Sequence, residues 1–293
     1  RSSDLSQILY LYDAQLTNPN GDPDEENRPR MDYERERNLV SDLRLKRYIR
    51  DYLLDQGQEL FVQLVNNKPV TAENRIKMLG EQTEDEILER FIDVRLFGAT
   101  MPIKGDNKTF IGPVQFNWGY SLNKVELLEA SITSHFATGA QKEQGAIGKD
   151  YRVKYSLIAF SGVISAKRAE KTKMSERDLV LFDQALKKAI PLLATRSKIG
   201  QYPRLYIRVE YNNPETMLED PRNYLELVEK VEHVRTIREC SLEIGALKEL
   251  FNKYKTDIAK INYFVNEELG LLDEGEPVKF EEVFNNFELS LIE

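Results

Sequence analysis

The sequence predicts an α+β fold whose core follows the order β-α-β-β-α-β. Four short segments rich in β-branched and aromatic residues have the length of strands, and two longer segments repeat apolar residues at helical spacing. A residue that commonly caps helices stands at the start of each longer segment. Because turn-forming residues separate the segments, their order along the chain predicts the order of the elements.

The first strand and the first helix form the amino-terminal unit. Residues 6–15 (SQILYLYDAQ) have strand composition, and the Asn-Pro-Asn-Gly-Asp-Pro run that follows predicts a turn. Residues 38–54 predict a helix with Ser41 as its N-cap. At about 100° per residue, its apolar side carries Leu45, Tyr48, Ile49, Tyr52 and Leu53. The other side carries Arg44, Lys46, Arg47 and Arg50, so we expect four cations to face away from the core.

The other core elements follow after an insertion. Residues 83–97 have a helical pattern, and residues 110–122 predict the second strand. Residues 131–152 contain three glycines and little apolar content, which favours a protruding hairpin or loop. The third strand (155–166), a helix capped by Ser175 (175–193) and the fourth strand (204–211) complete the core, and residues 220–269 are predicted to be helical. This order is that of ferredoxin-like and RNA-recognition folds.

The composition narrows the class of protein. A chain of 293 residues, 41% of them hydrophobic, can bury a sizeable core. No run of 18 apolar residues and no signal-peptide pattern occurs, so we expect a cytoplasmic protein without a membrane partner. The single cysteine, Cys240, excludes an internal disulfide framework, and with only His135 and His233 we expect no metal site and no cofactor.

The charge is unevenly distributed, although the formal total is −8. Residues 28–50 carry eight basic and four acidic residues, and residues 142–173 carry eight and three. Residues 196–208 add four basic residues and no acid, whereas residues 210–293 carry nine basic and twenty acidic residues. This asymmetry indicates a protein that binds polyanions at one surface only.

The loop Arg196-Ser197-Lys198-Ile199-Gly200 is the third basic cluster. Two cations, a hydroxyl group and a flexible backbone can hold phosphates without reading base sequence. Together with the first helix and the order of the elements, this loop favours binding of a nucleic-acid backbone.

Other candidate sites are less convincing. The acids Asp22, Asp24, Glu25 and Glu26 do not complete an EF-hand, and a structural turn is favoured over a metal site. No nucleophile elbow, phosphate-binding P-loop, dinucleotide fingerprint or zinc-protease motif marks an active site. The aromatic residues Phe110, Phe116, Trp118 and Tyr120 on the second strand could stack on bases, but a core role is favoured.

Five blocks, in this order, carry a family likeness: NPNGDPDEENRPRMD, NLVSDLRLKRYIRDYL, DVRLFGATM, GPVQF and SERDLVLFDQALKKAI. They resemble the backbone subunit of type I CRISPR surveillance complexes (Cascade), closest to the type I-B form. The likeness spans residues 8–211, and the first and third blocks also occur in the type I-C subunit.

The resemblance implies an architecture like a right hand. It implies a ferredoxin-like, RNA-recognition-motif-like palm (residues 1–54, 108–130 and 153–212), a helical fingers insertion (55–107) and a β-hairpin thumb (131–152). Residues 213–293 are expected to form an acidic helical region. The thumb would fold over a neighbour's guide segment and displace a nucleotide at regular intervals.

The resemblance also implies function and partners. Several copies would stack into a helical filament along a CRISPR guide RNA and present it for pairing with a target DNA strand. The other implied partners are further Cascade subunits and a recruited helicase-nuclease. The implied guide contacts are Ser41, Arg44, Lys46, Arg47, Arg50, Lys149, Arg152, Arg196 and Lys198.

An enzymatic alternative comes from related subunits of type III complexes, which cut bound RNA through an acidic thumb residue. In this chain Asp150 and Glu143 are the acids in the expected thumb. The non-catalytic scaffold is favoured, because the resemblance is to the class that does not cut RNA.

Overall fold

The computed structural model of the protein describes residues 5–80, 82–103, 105–133 and 147–293. Its strands are β1 (Ser6–Thr17), β2 (Gly21–Asp22), β3 (Arg28–Pro29), β4 (Met31–Asp32), β5 (Arg37–Val40), β6 (Gly98–Ile103), β7 (Asp106–Ile111), β8 (Val114–Phe116), β9 (Gly119–Ser121), β10 (Leu127–Thr133), β11 (Ile147–Ile164), β12 (Gln201–Tyr211), β13 (Glu226–Glu229), β14 (Cys240–Glu243), β15 (Ile258–Val265), β16 (Gly270–Asp273), β17 (Glu276–Val278) and β18 (Leu289–Leu291). Its helices are α1 (Asp42–Asp55), α2 (Ala72–Leu79), α3 (Glu84–Arg90), α4 (Ile92–Phe97), α5 (Ala166–Thr172), α6 (Glu176–Leu192), α7 (Gly245–Lys253) and α8 (Phe280–Val283).

A mixed sheet organises the molecule. Its strands lie in the order β18-β15-β12-β1-β11-β9-β5-β4, and β8 and β10 also pair with β11. β1 is antiparallel to both of its neighbours, whereas β15 and β18 are parallel. The predicted α+β class is confirmed.

Both faces of this sheet are covered. Successive side chains of a strand point to opposite faces, so neighbouring residues of β1 enter different cores. Ile8 and Tyr10 of β1 share one core with α1 and α6. Leu9 and Leu11 share a second core with the region after residue 213. Each fully buried side chain of this size contributes about 1.5–3 kcal/mol. The sheet therefore has no open face for a ligand along β1, and a binding surface must lie at an end or an edge.

The two main helices begin as the sequence predicts. The Ser41 hydroxyl accepts a hydrogen bond from the Arg44 amide at 3.2 Å and caps α1. Ser175 and Asp178 form a reciprocal capping box at the start of α6. A third, smaller core lies in the insertion, where α3 and α4 pack against the β6–β7 hairpin.

The prediction of helix over residues 220–269 is wrong for most of that segment. It contains β13, β14 and β15, and α7 is its α-helix within the described residues. β15 pairs with β12 in the main sheet, and β14 pairs with β13 and β16 in a separate four-stranded sheet. Tertiary pairing here outweighs the weak helix propensity of the sequence.

The predicted second strand is divided into three. Gly112 lies so close to the backbone of Phe97 that a Cβ atom on it would be 2.1 Å from the Phe97 carbonyl carbon. Pro113, which follows, has no amide hydrogen to donate to a ladder. The chain therefore leaves the β6–β7 hairpin at this point and enters the main sheet as β8 and β9.

The predicted protruding segment contains the start of a hairpin. β10 and β11 are antiparallel neighbours from Leu127 and Val153 to Thr133 and Ile147. Residues 134–146, including Glu143 and His135, lie outside the described residues. No helix in the described part of the chain is both long and apolar enough to cross a membrane.

Candidate nucleic-acid interface

The loop at residues 195–200 is hydrogen-bonded to the carboxyl-terminal end of β1. The Gln15 amide donates to the Gly200 carbonyl at 2.9 Å, and the Asn18 amide donates to the Ser197 carbonyl at 2.9 Å. Gly200 has φ +100°, and a Cβ atom on it would lie 2.7 Å from the Gln15 oxygen. Only glycine fits this close approach, so the loop has one position relative to β1.

The base of the β10–β11 hairpin joins the same place. The Arg152 guanidinium donates to the Leu16 carbonyl at 2.8 Å and to the Asp150 carboxylate at 3.0 Å. Arg196 lies 3.6 Å from that carboxylate through Nη2. Arg196 is exposed, whereas the Arg152 and Asp150 side chains are largely covered. Arg152 therefore holds the end of β1 against the hairpin.

The first turns of α1 complete the arrangement. The Ser41 amide donates to the Asn20 side-chain oxygen at 2.9 Å, and the Tyr48 hydroxyl contacts the Gln201 side-chain oxygen at 3.3 Å. The Arg44 guanidinium lies over the Tyr48 ring, 4.2 Å from its centroid. Arg44, Arg152, Arg196 and Lys198, called the cation cluster below, thus come from three separate segments of the chain.

Lys198 is the most perturbed cation of this cluster. Its ammonium group donates to the Asn18 carbonyl oxygen. Burial and, secondarily, the positive charge of Arg44 lower the pKa of Lys198 to about 7. Within the described residues neither Arg44 nor Lys198 forms an ion pair with an acid. Arg44 and the protonated form of Lys198 are thus neighbouring positive charges with no acid beside them in the described part of the chain, an arrangement that favours an anion such as a phosphate.

The opposite side of α1 is different, and here the expectation of four outward-facing cations is wrong. Lys46 is buried, and its ammonium group lies 3.3 Å from Asp42 and 3.5 Å from the Gln115 side-chain oxygen. Arg50 is largely covered and donates to Asp93 at 3.2 Å. On this side α1 contacts the end of α4: the Arg50 guanidinium carbon lies 5.0 Å from the centroid of the Phe97 ring.

Asp93 gives that side a structural role. Its carboxylate also accepts hydrogen bonds from the amides of Phe61 and Val62, at 2.8 and 3.0 Å. Arg50 and Asp93 therefore connect α1 with the insertion that contains α3 and α4. Arg47 lies between the two sides, is exposed, and pairs with Asp51 at 2.8 Å.

The structure does not bring Lys149 into the cation cluster. Its ammonium group lies 3.2 Å from Glu129 on the neighbouring strand and 4.0 Å from Glu26. Hydrogen bonding to Glu129 raises the pKa of Lys149. Because Lys149 and Arg152 differ by an odd number of positions along β11, they lie on opposite faces of the hairpin.

The acidic turn after β1 has structural contacts. Asp22 caps the short 3-10 helix at residues 23–25 and pairs with Arg30 at 3.3 Å. Glu26 accepts a hydrogen bond from the Tyr151 hydroxyl at 2.8 Å. Among the described residues no group of three or more metal-ligating side chains occurs.

The aromatic residues of the predicted second strand lie in different environments. Phe116 is buried in the core beneath α6, as favoured from the sequence. Tyr120 is half-buried beneath the Arg222 guanidinium, 4.4 Å from the ring centroid. Trp118 is exposed, with Arg30 at 5.9 Å, and Phe110 packs on the core of the insertion. These residues form no continuous stacking surface.

The sequence reasoning missed three positions of this interface. Asn20 and Gln201 are uncharged and carry no motif, although the Asn-Pro-Asn-Gly run marked the turn. Leu16 gave no signal, since its unusual backbone conformation cannot be read from an apolar residue at a strand end.

These features define an α+β protein with a cation-lined surface at one end of its main sheet. The chain belongs to the family described as CRISPR-associated protein Cas7, whose family model matches residues 5–245. It is 32% identical to a CRISPR-associated protein Cas7 of Haloferax volcanii over 314 aligned positions, which cover 96% of this chain and 92% of the relative. The predicted resemblance to this family is confirmed.

Solved structures share the fold. A chain of a "CRISPR RNA-guided surveillance complex" is similar with a TM-score of 0.58 and 13% identity, covering 98% of this chain and 94% of that one. A chain of a "CRISPR RNA-guided surveillance complex, pre-nicking" is similar with a TM-score of 0.55 and 12% identity, covering 92% and 96%.

Proposed function

We propose that this protein is the non-catalytic backbone subunit of a type I CRISPR surveillance complex, of which several copies bind one guide RNA. The observation that carries the proposal is the cation cluster: Arg44 and Lys198 lie close enough to interact electrostatically and have no acidic partner among the described residues, in a member of the Cas7 family. Phosphate oxygens supply the missing negative charge and leave the bases free to pair.

The fold supports the architecture that this function needs. The segments β1, α1, β8 with β9, β11, α6 and β12 follow the order β-α-β-β-α-β, and both helices pack on one face of the sheet. We infer that they are an RNA-recognition-like palm. Since the region after residue 213 covers the second face, the guide would run past the end of β1, not across the sheet.

The proposal revises the list of contacts. Ser41, Arg44, Arg196 and Lys198 are proposed to bind the guide, with Arg152 holding the surface together. Lys46 and Arg50 are assigned to stability, because their charges are covered and paired. Lys149 and Arg47 are peripheral. A guide-bound filament would present the RNA to a target DNA strand in the cytoplasm, beside other subunits and a recruited helicase-nuclease.

The ribonuclease alternative loses support at Asp150. Its carboxylate already accepts from Arg152 and faces Arg196, so a catalytic cation would have to compete with two arginines. Metal-dependent cutting of complementary RNA that disappears in Asp150→Ala would restore that alternative.

The test is assembly with RNA. The wild-type chain, co-expressed with a guide RNA, should purify as a multi-copy particle that contains RNA of discrete length. Arg44→Ala combined with Lys198→Ala should leave a folded monomer that carries little RNA. The matched control, Lys253→Ala with Lys255→Ala, removes two charges from exposed positions of the acidic region and should assemble normally. Assembly of the first double variant with a full complement of RNA would contradict the proposal.

A further inference from the structure

Leu16 is an outlier in both conformation and exposure. Its φ is +50°, a left-handed conformation that a leucine seldom adopts, and its side chain is 51% exposed. Neither cost is offset by packing of the side chain itself. Residues in such conformations persist where the surrounding structure holds them, and they cluster at functional sites.

The backbone around Leu16 is held on both sides. Arg152 donates to its carbonyl at 2.8 Å, and the amides of Gln15 and Asn18 donate into the loop at residues 197–200. These contacts fix where the side chain starts. Leu16 is thus presented to solvent from a fixed position next to Arg152 and to the loop that carries Arg196 and Lys198.

The surface beside Leu16 is apolar. Ile199, in the loop fastened to β1, is 63% exposed. On the hairpin, Leu128 and Ile132 stand opposite Arg152 and Gly148, so they share the face from which Arg152 reaches Leu16. Both are partly exposed. Exposed apolar side chains therefore occur on each of the segments that carry Arg152, Arg196 and Lys198.

This combination suits one kind of occupant. A second apolar protein surface would have to desolvate the exposed Arg196 guanidinium and the Lys198 ammonium group at a high free-energy cost, because it would offer Lys198 no acid and would add none to the 3.6 Å contact of Arg196 with Asp150. Single-stranded nucleic acid matches both components, because its phosphates pair with cations while its bases pack on apolar or aromatic side chains.

We propose that Leu16 packs against a nucleobase of the single-stranded RNA whose phosphates the cation cluster binds. Leu16 is then a positioning residue that fixes where a base sits relative to Arg44 and Lys198. The inference rests on the proposed function and adds a contact to the base. Since the contact is apolar, it is independent of base identity and of salt.

The test compares two substitutions of equally exposed apolar residues. Leu16→Asn keeps a residue that tolerates the left-handed conformation but removes the apolar surface. The control is Met217→Asn, since Met217 is also 51% exposed and lies beside Leu218, which bonds to the opposite end of β1. Affinity is measured by fluorescence anisotropy for a labelled oligoribonucleotide and for one of the same length whose riboses carry no bases.

Leu16→Asn should bind the normal oligoribonucleotide about fivefold to tenfold more weakly than wild type. It should bind the base-free one as tightly as wild type does, and Met217→Asn should match wild type on both. The unfolding midpoint of Leu16→Asn should not fall below that of wild type. Equal weakening on both oligonucleotides, or none, would overturn the assignment. Lost assembly with unchanged affinity would also overturn it and assign Leu16 to contact with a second copy. If wild type itself binds neither oligonucleotide, the proposed function fails instead.

Discussion

The two sides of α1 both carry basic residues, but these residues have different roles. At about 100° per residue, Lys46 lies about 160° and Arg50 about 120° around the helix from Arg44. Arg44 stacks on Tyr48 beside Lys198 and has no acidic partner in the described chain. Lys46 and Arg50 are covered and paired with Asp42 and Asp93. The comparison teaches that a basic helix reports a binding surface only where its charges lack intramolecular partners.

The largest expected effect is on the structural side, in Asp93→Ala. This substitution leaves Arg50 without its partner, and it leaves the buried Phe61 amide and the partly buried Val62 amide without an acceptor. The free energy of unfolding should therefore fall by about 3–5 kcal/mol. Urea unfolding measures it. The matched control is Asp51→Ala, which removes the exposed partner of Arg47 and should cost about 0.5 kcal/mol or less. Equal losses in the two variants would remove the distinction between the sides.

The second-largest expected effect is the pH dependence of RNA binding, on the side of α1 where Arg44 lies beside Lys198. Lys198 has a pKa of about 7 in the free protein. A bound phosphate favours the protonated form and raises that pKa, so binding takes up a proton and weakens as pH rises above 7. We expect affinity to fall about tenfold between about pH 6.5 and about pH 8.5.

Lys198→Arg is the control for this pH dependence, because arginine stays protonated over the range. It should bind with an affinity that changes little with pH. The same shift acts on stability without RNA: the pKa of Lys198 is lower in the folded state than its ordinary 10.5, so the unfolded chain holds the proton more tightly. Stability should therefore rise with pH between about 7 and 10 in the wild type. A flat profile in both assays would refute the assignment.

The smallest effect is expected for Arg47→Ala, between the two sides. Arg47 pairs with Asp51, one helical turn further along α1, at the helix surface. Such a pair contributes about 0.3–0.5 kcal/mol to the free energy of unfolding. Because Asp51 already offsets its charge, RNA affinity should fall less than about threefold. Thermal unfolding and anisotropy measure the two quantities, and a tenfold loss of affinity would move Arg47 into the cation cluster.

The sequence predicted the local elements of this protein better than their packing. Ser41 and Ser175 marked both main helices because caps act within four residues. The strands after residue 220 were predicted as helix because their pairing partners, such as β12 for β15, lie about fifty residues away. The same limit applies to the site. The basic segments were readable, but not that Asp93 covers Arg50 or that Gly200 brings Lys198 to the end of β1.

The salt dependence of RNA affinity tests the central claim most directly. It is measured at about pH 6.5, where Lys198 is mostly protonated in the free protein. Arg44→Ala with Lys198→Ala should make the slope of log affinity against log salt shallower by about 1.4, since two single-strand phosphate contacts are lost. Lys46→Met removes a cation from the other side and should leave the slope unchanged. A shallower slope in Lys46→Met, with no change in the double variant, would contradict the account.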